Sequence, residues 1–143
     1  MGSFRFLEHT ADAKIEAKGE TIEEAFEEAA KALYELMTDT SRIEPKVERS
    51  ITVEGEDLES LLYNWLEEFI YLTDAEGLVF SEVKVKAIEK EKDGRYRLTA
   101  TAKGEKFNHK KHVSKTDVKA ATYHEMEIDI KKDKTRLVFV LDI

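Results

Sequence analysis

The chain ends in two adjacent anions: Asp142 is the penultimate residue, so its side-chain carboxylate lies within a residue of the Ile143 α-carboxylate. A third carboxylate, Asp12, sits near the other terminus in the segment His9-Thr10-Ala11-Asp12. If the loop carrying Asp12 meets the C-terminal tip, three carboxylates converge, and at ~5 Å with an effective dielectric of about 20 each pair repels by roughly 3 kcal/mol. Such a cluster has to protonate or take up a cation. An all-oxygen, multiply charged donor set suits Mg²⁺, Ca²⁺ or Mn²⁺ far better than zinc. Spacing alone leaves the alternative open that Asp142 is a polar strand end and Asp12 a turn residue or cap. His9 and Asp12 form H-x-x-D, a pattern too common to identify a metal site. His124 falls on the apolar face of an expected strand, where a histidine donating to a neighbouring backbone or carboxylate group is the commoner arrangement. Lys119 faces the opposite side, as a counter-charge, a phosphate contact or simply a solvated ammonium.

Other chemistries find little support. There is no P-loop, no G-x-G-x-x-G, no G-x-S-x-G and no H-E-x-x-H, and none of the serines stands in a nucleophile elbow, so no catalytic residue is assigned. A small stand-alone enzyme using His9, Asp12 and Lys119 remains a rival reading. Lys103 to Thr116 breaks every periodicity and carries five lysines with His109 and His112, which reads as a basic, mobile loop. Its charges suit RNA, yet only Phe107 is interleaved for stacking, and lysine-rich loops are usually just solvated.

Composition narrows the setting. The 143 residues include 23 basic and 31 acidic side chains, a net charge of −8, and no cysteine. One domain over residues 1–143 is expected at this length. The lack of cysteine excludes disulfides, thiolate metal sites and a cysteine nucleophile, and favours a reducing compartment. Charged residues make up 38% of the chain, mostly Glu and Lys, as in proteins that rely on ion-pair networks at high temperature. Residues 1–77 hold 7 basic and 20 acidic groups, net −13, whereas residues 78–143 hold 16 and 11, net +5. The acidic half repels phosphate, so nonspecific nucleic-acid binding by the whole surface is not expected. The longest apolar run is Leu137 to Leu141, too short to cross a bilayer, and the N-terminus lacks the apolar core of a signal peptide. A soluble cytoplasmic protein without a membrane partner is the expectation.

The elements that must position these groups are written in the hydrophobic pattern. Phe4–Glu8 and Ala13–Lys18 alternate as strands with one buried face. Thr21 opens a helix in which Ile22, Ala25, Phe26, Ala29, Ala30, Leu33, Leu36 and Met37 recur at helical spacing, with Thr21 and Glu24 placed as a capping box. Residues 38–49 read as a connection, followed by a short strand at Ser50–Glu54. Asp57 caps a second helix whose apolar stripe runs from Leu58 to Leu72 and stops at Gly77. Leu78–Ile88 and Tyr96–Ala102 flank Asp93-Gly94, a hairpin signal that predicts an antiparallel pair. Even positions from Val118 to Ile130, including His124, line one face of a long expected strand. Residues 131–134 turn the chain into a last strand, Thr135–Ile143, whose continuous apolar run predicts a central position covered on both faces. The sum is an α+β fold, a mostly antiparallel (mixed) sheet arrangement covered by two amphipathic helices.

Four segments resemble one known family. Phe6-Leu7-Glu8-His9-Thr10-Ala11-Asp12, Leu61-Leu62-Tyr63-Asn64-Trp65-Leu66, Lys119-Ala120-Ala121-Thr122-Tyr123-His124 and Val138-Phe139-Val140-Leu141-Asp142-Ile143 occur in the order and spacing of the archease family. The resemblance spans nearly the whole chain. It implies a non-catalytic protein cofactor of the GTP-dependent RNA ligase of tRNA splicing, which speeds ligase guanylylation and restores the ligase for further turnovers, so that tRNA is met only indirectly. It also implies a divalent-cation site at Asp12, Asp142 and the terminal carboxylate of Ile143, with His9, Lys119 and His124 as supporting candidates. A chaperone-like link to a tRNA cytosine methyltransferase is the alternative role that the resemblance carries.

Overall fold

A computed structural model describes all 143 residues. Its elements run β1 (Ser3–Leu7), β2 (Ala13–Gly19), α1 (Ile22–Met37), a 3₁₀ turn (Thr40–Arg42), β3 (Val47–Gly55), α2 (Leu58–Glu76), β4 (Leu78–Lys90), β5 (Tyr96–Lys106), β6 (Ala120–Ala121), β7 (Glu127–Lys131) and β8 (Lys134–Asp142). Two sheets form. The first has the order β1-β2-β8-β6 with β7 also paired to β8, and the second is β3-β5-β4. The α+β class expected from the sequence holds, and every strand pair is antiparallel, so the sheets are not mixed. No helix is long and apolar enough to cross a membrane.

Local chemistry sets the ends of both helices. The Thr21 hydroxyl accepts the Glu24 N–H at 3.1 Å, as the capping box requires, but the Glu24 carboxylate reaches the Glu20 amide at 2.8 Å rather than that of Thr21. Asp57 caps α2 with Ser60 as its reciprocal partner, and Gly77 ends the helix with φ 69, the left-handed conformation that glycine adopts without a Cβ penalty. The helices meet through aromatic side chains. The Trp65 indole N–H donates to the Phe26 carbonyl at 2.9 Å, and Tyr34, Phe69 and Phe80 pack edge to face between the layers. Tyr34 donates to the Phe69 carbonyl at 3.2 Å, and burial holds its hydroxyl neutral by pushing its pKa up.

Strand β8 is the centre of the first sheet. Leu137, Phe139 and Leu141 face the main core, while Val138 and Val140 on the other face are also buried, as the uninterrupted apolar run predicts. On that second face a charged triad ties three strands. Glu16 of β2, only 2% exposed, accepts from Arg5 of β1 at 2.6 Å and from Arg136 of β8 at 2.5 Å.

Three expectations need correction. The long strand from Val118 to Ile130 is broken: only Ala120–Ala121 and Glu127–Lys131 pair with β8. Between the pairs Ala121↔Leu141 and Glu127↔Val138 the chain spends six residue steps where β8 spends three, so Thr122–Met126 must arch out. Thr122 is still held to β8, its amide and hydroxyl donating to the Val140 carbonyl at 3.2 and 2.8 Å, and beyond it the Met126 N–H closes a turn on the Tyr123 carbonyl at 3.2 Å. His124 therefore lies on an exposed turn and not on an apolar strand face. The third strand starts at Val47, earlier than Ser50. Finally, the lysine-rich segment after Ala102 is neither irregular throughout nor loosely held. Its first residues extend β5 to Lys106, and the Lys115 and Thr116 amides donate to the Met37 and Leu36 carbonyls at 3.0 and 3.2 Å, satisfying backbone acceptors left free at the end of α1. His112, 2% exposed, accepts the Asn108 N–H on Nδ1, so its Nε2–H donates to Glu105 at 3.0 Å. Glu105 also takes the Glu44 N–H at 2.8 Å and Lys111 at 2.7 Å.

The Glu16 triad makes the first sheet acid-sensitive in a defined window. Hydrogen bonding from Arg5, with Arg136 and Lys18 adding to it, holds the Glu16 carboxyl at about 2 against an ordinary 4.5. A depressed carboxylate stabilises the fold above the unfolded value and loses that contribution as pH falls toward the folded one. Glu16→Gln is therefore expected to cost about 2 kcal/mol near neutrality and to flatten the stability loss between about pH 4.5 and 2, measured by urea unfolding across that range.

Candidate metal centre

The register of β2 against β8 decides what meets at the C-terminal tip. Ala13 pairs with Leu141, so position 12 and position 142 follow that pair on adjoining strands. On the other side of β8, Ala120 pairs with Asp142, and the Lys119 N–H donates to the Asp142 carbonyl at 2.8 Å. The two aspartates that the sequence separates by most of the chain are thus brought to one edge, at the end of a strand buried along its length. Asp142 and Ile143 are exposed there, and Asp12 is half-buried. Lys119 is exposed; its backbone, not its ammonium, is what the fold ties to the tip.

His9 lies in the same corner. Its Nδ1–H donates to Asp12 Oδ1, and its Nε2–H donates to Glu125 Oε2 at 2.8 Å, a contact between residues 116 apart in sequence. Lys14 Nζ stands 3.5 Å and His124 Nε2 3.7 Å from the same Glu125 oxygen. With carboxylates at both ring nitrogens His9 is held as an imidazolium. Its pKa is raised, first by the hydrogen bond to Asp12 and then by that to Glu125, while Glu125 is lowered chiefly by His9. Two non-glycine residues in the left-handed region, Ala11 with φ 66 and Glu125 with φ 53, shape the loops that deliver these groups. Each such residue costs on the order of 1 kcal/mol, and strain of this kind concentrates at functional corners.

The structure thus gathers His9, Asp12, His124 and Glu125, and the β2–β8 register sets position 142 across from position 12. Glu125 is the residue that sequence reasoning missed, since alternation placed it on the solvent face of a strand that does not exist. No local signal marked the arch, since threonine suits a strand and the alternation continues through it. The donor chemistry fits a hard divalent ion. Asp142 and the Ile143 carboxylate would offer oxygens to such an ion, and Asp12 a second carboxylate oxygen beyond the one engaged by His9.

The His9 pairing sets a pH dependence. A raised histidine pKa stabilises the fold fully below the ordinary value of 6.5, and that contribution disappears as pH rises through the folded value. NMR titration of metal-free protein should place His9 above 6.5, with Glu125→Gln lowering it and Asp12→Asn lowering it further.

Comparison with known proteins covers nearly the whole chain. Residues 4–143 match the model of the Archease protein family (MTH1598/TM1083). Protein archease of Pyrococcus furiosus is 54% identical over 90% of this chain and 89% of its own length, and that of Sulfurisphaera tokodaii is 48% identical over 100% of both. Among solved structures, Methanobacterium thermoautotrophicum protein 1598 superposes with a TM-score of 0.82 at 40% identity, covering 98% of each chain. An archease from Thermotoga maritima, described as a possible chaperone, gives 0.59 at 25% identity over 96% of this chain and 94% of its own. With residues 4–143 inside the family model and relatives about half identical over nearly the whole length, the chain belongs to the archease family.

Proposed function

We propose that this protein is a non-catalytic, divalent-cation-binding activator of the GTP-dependent RNA ligase of tRNA splicing, promoting ligase guanylylation and multiple turnover. The observation that carries the reading is the register Ala13↔Leu141, which sets position 12 across from position 142 in a chain that the archease family model matches over residues 4–143. Asp12, Asp142 and the Ile143 carboxylate would hold Ca²⁺, Mg²⁺ or Mn²⁺, with His9 fixing the Asp12 carboxylate. The bound ion would supply positive charge and coordination positions for phosphate oxygens.

The chain's own residues provide the scaffold for that delivery. Strand β8 is buried from Leu137 to Leu141, so its end is rigid, while Asp142 and Ile143 project into solvent where a partner can reach them. The protein carries a net charge of −8, which opposes direct engagement of RNA and fits action on the ligase protein itself. The basic segment supports the same conclusion, because Lys111 and Lys115 are already paired, with Glu105 at 2.7 Å and Glu35 at 3.2 Å. A stand-alone enzyme is disfavoured: His9 is engaged at both nitrogens by carboxylates and the Lys119 ammonium is exposed. A second reading, a chaperone or specificity modulator of a tRNA cytosine methyltransferase, draws on the description of the Thermotoga maritima relative as a possible chaperone.

Multiple-turnover ligation by the cognate ligase, with and without this chain, separates the readings. Stimulation of turnover is expected with the intact protein. Asp142→Ala, or removal of Ile143, should reduce it at least about tenfold, in step with lost divalent-ion affinity by calorimetry and with the circular dichroism spectrum unchanged. Undiminished stimulation by both variants would sink the role of the terminus. A chain that leaves the ligase unaffected but alters methyltransferase site selection would favour the chaperone reading.

A further inference from the structure

The corner beside the β8 terminus holds a second donor set of different character, of which the proposed activation uses only the Nδ1 side of His9, to fix the Asp12 carboxylate. His9 comes from the loop after β1, and His124 and Glu125 come from the arch between β6 and β7. One ring nitrogen from each histidine and one Glu125 oxygen all lie within 4.8 Å of one another. We propose that His9, His124 and Glu125 form a distinct site for a borderline transition ion such as Zn²⁺ or Co²⁺, separate from the hard-cation oxygens of Asp12, Asp142 and Ile143.

Three features support the assignment. Two imidazoles and one carboxylate make a donor set that favours first-row transition ions, whereas Ca²⁺ and Mg²⁺ take oxygen almost alone. Donors on a tetrahedral zinc stand about 3.4 Å apart. Glu125 Oε2 is 2.8 Å from His9 Nε2 and 3.7 Å from His124 Nε2, on either side of that spacing, and ion binding releases the His9 Nε2 proton to solvent. His124 is 64% exposed on its turn and free to make that adjustment.

The second feature is the partner of His9. Asp12 Oδ1 accepts from Nδ1–H, which fixes the ring and leaves Nε2 directed at Glu125. A carboxylate behind a histidine, with the other nitrogen turned to the ion, is the usual support of a metal-ligating imidazole. Third, the turn that presents Glu125 holds it at φ 53, a conformation retained at a position where nothing in the sheet pairing demands a glutamate. Three protein ligands leave a fourth position open to water or to an anionic oxygen from a partner. Lys14, 3.5 Å from Glu125, is the competing cation in the ion-free protein, and its flexible stem lets the ammonium leave.

The test uses the full, untagged chain and each metal alone. Co²⁺ titration should produce the visible ligand-field bands of a four- or five-coordinate site, and Zn²⁺ should compete for it. His124→Ala and Glu125→Gln, both exposed positions, should each weaken Zn²⁺ at least about tenfold by calorimetry and leave Ca²⁺ affinity unchanged. Lys14→Met should tighten Zn²⁺. Asp142→Ala should weaken Ca²⁺ and spare Zn²⁺. Zn²⁺ affinity unaltered in both His124→Ala and Glu125→Gln would overturn the proposal, and so would parallel loss of Zn²⁺ and Ca²⁺ in Asp142→Ala, which would mean one site rather than two.

Discussion

The antiparallel pairing of β2 with β8 is the constraint on which the rest of the molecule depends. Seven consecutive pairs, from Ala13↔Leu141 to Gly19↔Thr135, lock an N-terminal strand to the C-terminal one. Side chains in a strand alternate between faces, so a one-residue slip would turn Leu137, Phe139 and Leu141 out of the core and take Asp12 away from Asp142. The register is held on one face by that apolar set and on the other by Glu16 between Arg5 and Arg136. Core packing and the placement of the acidic corner are therefore one event. The hydrophobic energy that buries β8 is what sets position 12 across from position 142.

A second consequence concerns the outer edge of β8. That edge is shared by two short strands, and the surplus of chain between them is expelled as the arch Thr122–Met126. The arch carries His124 and Glu125 to His9, and places Tyr123 in a stack with Tyr63 of α2, ring centroids 4.5 Å apart and planes within 6°. Glu67 of α2 accepts the Ala121 N–H at 2.7 Å, tying the departing chain to the helix. An irregularity in pairing thus becomes a positioned loop, its amides satisfied within the arch by Thr122 and Tyr123 and on β8 by Val140. The edge of the second sheet is finished in a comparable way, since Glu27 of α1 accepts the Val85 N–H at 2.8 Å.

Charge is distributed to match. The acidic first half supplies Glu16, Glu35, Glu44 and Glu48, and the basic second half supplies their partners Arg136, Lys115, Lys111 and Lys103. Most of these pairs are exposed and individually contribute little. Within the lysine-rich segment they engage Lys103, Lys111 and Lys115 with acids of the first half.

Much of this was legible in the sequence, because local rules govern it. The stripe Ala25, Phe26, Ala29, Leu33 reads as a helix whatever surrounds it, Asp57 and Gly77 punctuate α2 by their own chemistry, and the run Leu137–Leu141 admits only a strand covered on both sides. The motifs around Asp12 and Asp142 carried the family. Alternation from Val118 to Ile130 misled, since a period of two describes a strand and a folded-back arch equally well until the length of the opposing strand is known. The lysines after Ala102 looked unattached because their partners, Glu105 and the carbonyls ending α1, are acceptors that only packing brings near. Sequence alone determined the elements, the charge and the kinds of ligand atom present. Tertiary structure alone decided that Glu125, 116 residues from His9, faces it across 2.8 Å, because register between distant strands depends on the summed burial of every side chain between them.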